Sequence, residues 1–360
     1  MKKLSATTII LTIAAAISIT ACKKNNDVTV PQSTNDGKLM ANFLKENGPQ
    51  FQKFTVDATA GGTIVTTKGT KFIIAANAFV TASGAPVTGA VTVSVKEIKD
   101  ASDMILGDKP TTTSDGKILI SYGEFFVKAE QNNQNLQIKR DGAAGNNGGV
   151  QVQVPAKPNN QEVPMWRGDS TITTTQSGYD HHNNPVTITN TISVSAGVLW
   201  NQIGGNYAIF NGTNGTLNFQ LDSLLHWVNC DALYSLPGTK TTVMGYFADH
   251  FNTSTGTNYS GEQPSMLFFK PRNQNTLIKF YNVIMSAPVG YQGLHSYQTS
   301  IPVGLEGTFL AMSSVDGKFY AEMKDVTIGT PSGTYTSVTF NPQEVSETTL
   351  LNLINQMNSK

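Results

Sequence analysis

The strongest constraint on this chain is a period of two that keeps restarting. Val91, Val93 and Val95 alternate with Thr92, Ser94 and Lys96, the pattern of a strand with one buried face. Short β-rich runs of this kind fill the chain from Phe51 to about Pro342, among them 63–65, 71–75, 118–121, 124–129, 136–139 and 150–154. Gly61-Gly62, Lys68-Gly69, Ser83-Gly84, Asp115-Gly116 and Asp141-Gly142 separate the runs, since glycine supplies the positive φ that tight turns need. Asp316-Gly317, between 308–315 and 318–324, is the clearest hairpin signal, because a two-residue Asp-Gly loop fits a type I′ turn.

Helical period occurs only at the edges. Leu39, Met40, Phe43 and Leu44 are spaced for a short helix over 36–47, stopped by Gly48-Pro49. Residues 99–106 predict a single helical turn. Val345, Leu350, Leu351 and Ile354 cluster on one face of a helix over 344–359, with Ser346 as its cap. The fold class is therefore mostly β: two β-sandwich domains with a short N-terminal and a C-terminal helix. Residues 51–157 form the first domain and 197–343 the second. Between them, 158–196 are read as a boundary with an exposed hairpin over 171–194, and 344–360 as the closing helix. The Gly/Asn-rich segment 141–149 is read as a loop.

The N-terminus predicts where such a chain resides. Lys2 and Lys3 precede an apolar run over 7–19, and Ile19-Thr20-Ala21 sets small residues before Cys22. That order resembles the bacterial lipobox, which implies cleavage after residue 21 and lipidation of Cys22. The run is too short to span a hydrocarbon core, which takes roughly 20 apolar residues. Lys23-Lys24-Asn25-Asn26-Asp27 places no acid directly after the cysteine, which by resemblance to sorting signals favours the outer membrane, facing the periplasm or the cell surface. Residues 22–50 are read as a polar tether and the short helix.

Lipidation would leave Cys230 as the second of the chain's two cysteines, so no intrachain disulfide is expected in a compartment that permits them. Basic and acidic side chains number 25 each, and a nucleic-acid binder would carry a basic excess or stripe. No nucleic-acid partner and no cofactor are expected.

A resemblance adds to this reading. Gly61-Gly62-Thr63-Ile64-Val65, Gly69-Thr70-Lys71-Phe72-Ile73-Ile74 and Asn77-Ala78-Phe79 resemble the opening of Bacteroidota surface-lipoprotein β-domains of unassigned function. They are more distantly similar to ZU5-type β-sandwich modules. Lys96-Glu97, Asp103-Met104 and Ser114-Asp115-Gly116 continue the pattern, and Trp227–Asp231 with Ile301–Gly304 extend it. The chain departs from the ZU5 pattern at Ala75-Ala76, where that family has Ile-Pro. His250-Phe251 is followed by Asn252, so the self-cleavage of some relatives is not implied.

Candidate sites are sparse. His226 and Cys230 are the one thiol–imidazole pair; on a strand they stand about 13 Å apart, and on a helix they are neighbours. A buried, inert cysteine is the favoured reading. Asp180-His181-His182-Asn183-Asn184 gathers metal-type ligands, but adjacent residues on an extended chain point apart, and a solvated hairpin tip is favoured. No metal site is expected. Arg167-Gly168-Asp169 is an integrin-type tripeptide read as a turn. Asp169-Ser170-Thr171 and Asp222-Ser223-Leu224 resemble Bacteroidota O-glycosylation sequons, with Ser170 the better acceptor. Trp166, Tyr291 and Tyr297 are the candidate ligand contacts, for an aromatic ring can stack on a sugar; for Trp166 a buried ring packing the domain boundary is the favoured reading.

These observations predict a lipid-anchored outer-membrane protein with a non-catalytic binding, adhesion or structural role, contacting a glycan or an envelope protein. A glycan-binding lipoprotein of a polysaccharide-capture system is the alternative. An unrecognised hydrolase using Glu97, Asp103 or Glu124 is the second. No catalytic motif supports an enzyme.

Overall fold

The valine alternation is realised in the strand Ala90–Ile98, where Val91, Val93 and Val95 are all buried. The computed structural model describes residues 35–139, 149–168, 171–179, 185–193, 198–221, 223–257 and 261–360, with the backbone alone at 171–179 and 185–193. The chain is mostly β, with several sheets and a short helix at each end of the described region.

One antiparallel sheet dominates. Its strand order is Gln52–Asp57, Ala90–Ile98, Leu119–Gln131, Trp227–Leu233, Glu162–Gly168, Trp200–Asn211, Thr216–Leu221, Val150–Pro155, Lys71–Ile74 and Gly62–Val65. The sheet curls around a single core that includes Val56, Ile64, Phe72, Val93, Phe125, Val152, Phe219 and Cys230. Its two end strands meet through the Asp57–Gly61 bridge. The runs expected at 118–121 and 124–129 are one strand, Leu119–Gln131, with a bulge where Asn229 pairs with Glu124 but Asp231 pairs with Ser121.

This topology departs from the expected domain boundary. Residues 200–233, assigned by local pattern to a second domain, pair into the first sheet: Leu217 lies opposite Val154, and Val228 opposite Phe125. A cut at 157–197 would pass through the middle of the ladder. Ser33–Lys360 accordingly forms one compact unit. The 171–194 hairpin has the expected antiparallel register, from Thr171–Ser193 to Tyr179–Pro185; its tip lies outside the described residues.

The remaining strands build a sandwich. Lys240–Phe247 pairs with Gln292–His295 and runs parallel to Tyr335–Phe340. The facing sheet holds Ser265–Pro271, Glu306–Val315 and Lys318–Thr327. Val243, Phe247, Leu294 and Phe340 meet Leu267, Phe269 and Phe309 between them. Ser265–Pro271 is buried at every position because its other face is covered too. Met266, Phe268, Leu310 and Met312 pack in a second cluster with Trp166, Trp200, Trp227 and the helices. The strand expected over 276–285 is broken into Ile278–Lys279 and Asn282–Val283.

The hairpin signal is realised. Asp316 and Gly317 have φ of 51° and 76°, the left-handed pair that a type I′ turn needs, and Val315 faces Lys318. Helix α1 (Asn35–Asn47) buries Met40 and Phe43, the latter ring 5.2 Å from Phe319. Its Asp36 carboxylate accepts from the backbone N–H groups of Asp316 (3.1 Å) and Gly317 (2.8 Å) and from Asn252 Nδ2 (3.0 Å). Helix α2 (Ala101–Leu106) is capped by Asp100. Helix α3 (Glu347–Gln356) is capped by Ser346, which accepts from Thr349 N at 3.1 Å, and buries Leu350 and Ile354. Val345, expected on that helix, instead ends the strand Gln343–Val345. No described helix is long and apolar enough to cross a membrane.

Candidate ligand-binding groove

The sequence Val150-Gln151-Val152-Gln153-Val154 alternates strictly. All three valines enter the core, so both glutamines stand on the opposite face. Thr216–Leu221 repeats the arrangement, with Leu217, Phe219 and Leu221 buried and Asn218 and Gln220 outside. The register sets Gln151 opposite Gln220 and Gln153 opposite Asn218. Four amide side chains therefore share one patch across two strands.

The neighbouring strand opens the sheet beside that patch. Trp200–Asn211 pairs with Thr216–Leu221 only from Ile209 to Asn211. Against Glu162–Gly168, Tyr207 faces Pro164 but Gln202 faces Trp166. Ile203–Asn206, four residues, thus stand opposite Met165 alone, a bulge far larger than the usual single extra residue. Gly205 turns it at φ 76°, with no atom within 4 Å of where a Cβ would sit.

The result is an open groove of about 920 Å³. Gln151, Gln153, Gln161, Asn206, Asn211, Asn218 and Gln220 line it with Tyr207, Ile209 and Phe210, and Met165, Phe219 and Val228 form its apolar floor. No Asp, Glu, Lys, Arg or His is among its lining residues. Asn218 is held by Thr216 Oγ1 (3.1 Å), and Gln161 Nε2 donates to Phe210 O at 2.5 Å. Gln151, Gln153 and Gln220 make no side-chain hydrogen bond among the described residues, so each presents two N–H donors and a carbonyl acceptor. Tyr207 is 42% exposed and offers a ring face at the rim.

Exposed charges flank the groove without lining it, with Lys71 opposite Gln153 and Glu162 opposite Ile209 in the strand register; other charged groups are buried away from it. Glu124 and Asp231 are both fully buried. Burial pushes both carboxyls well above their ordinary range, and Asp231 raises Glu124 further. Asp231 accepts from Asn229 Nδ2 and from Tyr122 N at 3.3 Å. Neither oxygen of Glu124 has a hydrogen-bond partner among the described residues, which favours the neutral acid. Burial lowers the Lys109 ammonium to about 8, and it lies 5.4 Å over the Trp227 ring. Lys279 pairs with Asp108 at 2.7 Å, both side chains inaccessible.

Of the carboxylates considered for a hydrolase, Glu97 and Glu124 do not share a face, because Phe125 pairs with Glu97 and Ile98 with Glu124. Glu97 is buried and accepts from Thr70 Oγ1 at 2.6 Å, while Asp103 is ion-paired with Lys68.

Trp166 is a core residue, the reading favoured for it, and not a ligand contact. It is 4% exposed, its indole Nε1 donates to Asp231 O at 2.9 Å, and it packs in the cluster of Met266, Phe268 and Met312. Tyr291 is exposed and packs 5.9 Å from Tyr246; Tyr297 is half-buried, and neither lines the groove. Cys230 lies on the strand Trp227–Leu233, while 223–226 form a turn with Leu225 at φ 66°. The segment is thus neither one strand nor a helix. His226 lines a second, more apolar cavity with Phe79, Leu136 and Leu224. Cys22, Ser170, Asp222 and the 180–184 cluster lie outside the described residues. Among the described residues no group of three His, Cys, Asp or Glu side chains is placed to hold a metal.

Sequence reading missed the groove amides. The Gln-Val-Gln-Val period was legible, but which outward residues face one another depends on pairing across more than sixty positions.

In comparisons with known proteins, no family model, no curated protein and no solved structure matches the chain.

Proposed function

We propose that this chain is an exported, lipid-anchored outer-membrane protein that binds a neutral glycan, without chemistry, through the groove between 150–155, 203–211 and 216–221. The observation that carries the reading is the lining: seven amides and a rim tyrosine with no charged side chain. Hydroxyl-rich ligands need paired donors and acceptors at fixed spacing, which Asn and Gln supply, and an aromatic ring for the apolar face of a sugar. A phosphorylated or carboxylated ligand would call for Arg or Lys, and none lines the groove.

The lipobox ending at Cys22, the lysines after it and the resemblance of 61–116 to Bacteroidota surface-lipoprotein domains support the cellular side of this reading. The membrane is then the first partner, through lipid on Cys22, and the glycan the second.

A broad panel of neutral and acidic oligosaccharides tests the proposal. Binding restricted to neutral glycans, and weakened by Tyr207→Ala or Gln220→Ala, is the expected result. Retention of a glycan by the Tyr207→Ala/Gln151→Ala/Gln220→Ala protein would move the site elsewhere. No retained sugar across the panel would reject glycan binding.

A further inference from the structure

The chain carries no Asp, Glu, Lys or Arg from Phe280 to Leu305. In the middle of that stretch the hairpin joining Asn282–Val283 to Gln292–His295 ends in Met285-Ser286-Ala287-Pro288-Val289-Gly290-Tyr291. Its apolar side chains point outward: Met285 is 89% exposed, Val289 102% and Tyr291 39%. Val289 and Met285 are the most exposed large apolar residues described, and they sit on one tight loop closed by Tyr291 N donating to Pro288 O at 3.0 Å. Apolar side chains so fully in water on an uncharged tip mark an interaction surface.

The position of the loop indicates its occupant. Gln292, directly after it, pairs with Phe247. The Phe247 ring is 5.3 Å from Phe251, and the next residue, Asn252, donates from its side chain to Asp36. Asp36 is the second residue of α1, where the described chain begins. The apolar loop and the root of the N-terminal segment therefore occupy the same pole. Twelve residues separate Cys22 from Asn35, which span at most about 45 Å in any conformation.

We propose that this loop is a second membrane contact: Met285 and Val289 enter the lipid surface to which Cys22 is anchored, with Tyr291 at the headgroup level. This rests on the lipid-anchor reading. Anchoring converts loop insertion into an intramolecular step, so two apolar side chains suffice where a free protein would not bind. Tyrosine suits the boundary because its ring is apolar and its hydroxyl polar. The contact would hold the body upright on the tether and fix the outlook of the groove.

The test uses the full lipidated chain in vesicles of phosphatidylethanolamine and phosphatidylglycerol. An environment-sensitive fluorophore is attached at Ser286→Cys, or at Ser332→Cys before the opposite end of the Tyr335–Phe340 strand; Cys230 is buried and does not compete. Quenching by lipids spin-labelled near the headgroup is expected at 286 and not at 332. Adding Met285→Asp and Val289→Asp is expected to drop the signal at 286 to the level at 332, with the melting temperature unchanged because these side chains pack against nothing. Equal quenching at both positions in a chain that takes up palmitate overturns the loop contact and leaves the anchor standing. A chain that takes up no palmitate overturns both. Photo-crosslinking from position 289 to an envelope protein in place of lipid also overturns the loop contact.

Discussion

Lys279 and Asp108 meet at 2.7 Å with side chains 0% and 5% exposed, across 171 residues of sequence. The lysine also lies 5.2 Å from the Tyr281 ring centre and 5.8 Å from that of Phe268. A pair this buried stabilises little relative to an apolar replacement, but breaking it strands a charge. Asp108→Asn, which keeps a residue suited to the left-handed φ of 49° at this position, should therefore cost about 3–5 kcal/mol in denaturant unfolding. The double change Asp108→Asn/Lys279→Met should recover most of that loss. A double variant no more stable than Asp108→Asn would assign the pair a role beyond mutual neutralisation.

The groove predicts a different signature, loss of binding with no loss of fold. Tyr207→Ala and Gln220→Ala each remove one contact from an exposed position, so glycan affinity should fall about fivefold to tenfold apiece, on the order of 1 kcal/mol. Melting temperatures should stay level, since exposed substitutions usually change stability by no more than about 0.5 kcal/mol. Titration calorimetry and thermal denaturation on the same preparations make the comparison.

Glu124 gives the stability a sign with pH. Its carboxyl is held well above the unfolded value of 4.5 by burial, then by Asp231, against the opposing pull of Lys109. Folded protein keeps this proton where unfolded chain has lost it, so its contribution is full below 4.5 and is lost as pH rises through the folded value. Glu124→Gln should therefore gain on the parent as pH rises above about 5, and the difference between their unfolding curves isolates this group. Lys109 works in another window: with its ammonium lowered to about 8, stability rises with pH between about 8 and 10.5. That alkaline limb should survive in Glu124→Gln.

Cys230 should be silent toward thiol reagents in the native protein. It is fully buried, its Sγ donates to Gly123 O at 3.7 Å, and burial together with Asp231 pushes its thiol well above the ordinary value. Reaction with a chromogenic disulfide should proceed at the rate of global unfolding. Rapid labelling without denaturant would revive the pairing with His226.

What the sequence disclosed was local. The Val91/Val93/Val95 face, the Asp316-Gly317 turn and the Ser346 cap depend on residues within a few positions of one another, and each is present. What it concealed was pairing at a distance. The strand 227–233 has no period of two, being buried at every position from Trp227 to Asp231, and nothing local says whether its neighbour is 119–131 or 240–247. For that reason the boundary at 157–197 was misplaced. Trp166 meets the same limit: a buried ring is legible at this position, but the acceptor of its N–H, Asp231 O 65 residues later, is not. The groove needed both kinds of information, since the Gln-x-Gln period is local and the Ile203–Asn206 bulge is defined only against Met165.

The place of Trp227–Leu233 in the large sheet, between 119–131 and 162–168, sets an order of events for a chain delivered N-terminus first. The earlier strands emerge with their hydrogen-bonding edges open, and the ladder has no central member until residue 233 has followed. Such non-local closure is slow, on the millisecond-to-second scale, and unpaired strand edges invite aggregation meanwhile. Truncations short of residue 233 should therefore be cleared by proteolysis instead of accumulating as a folded half.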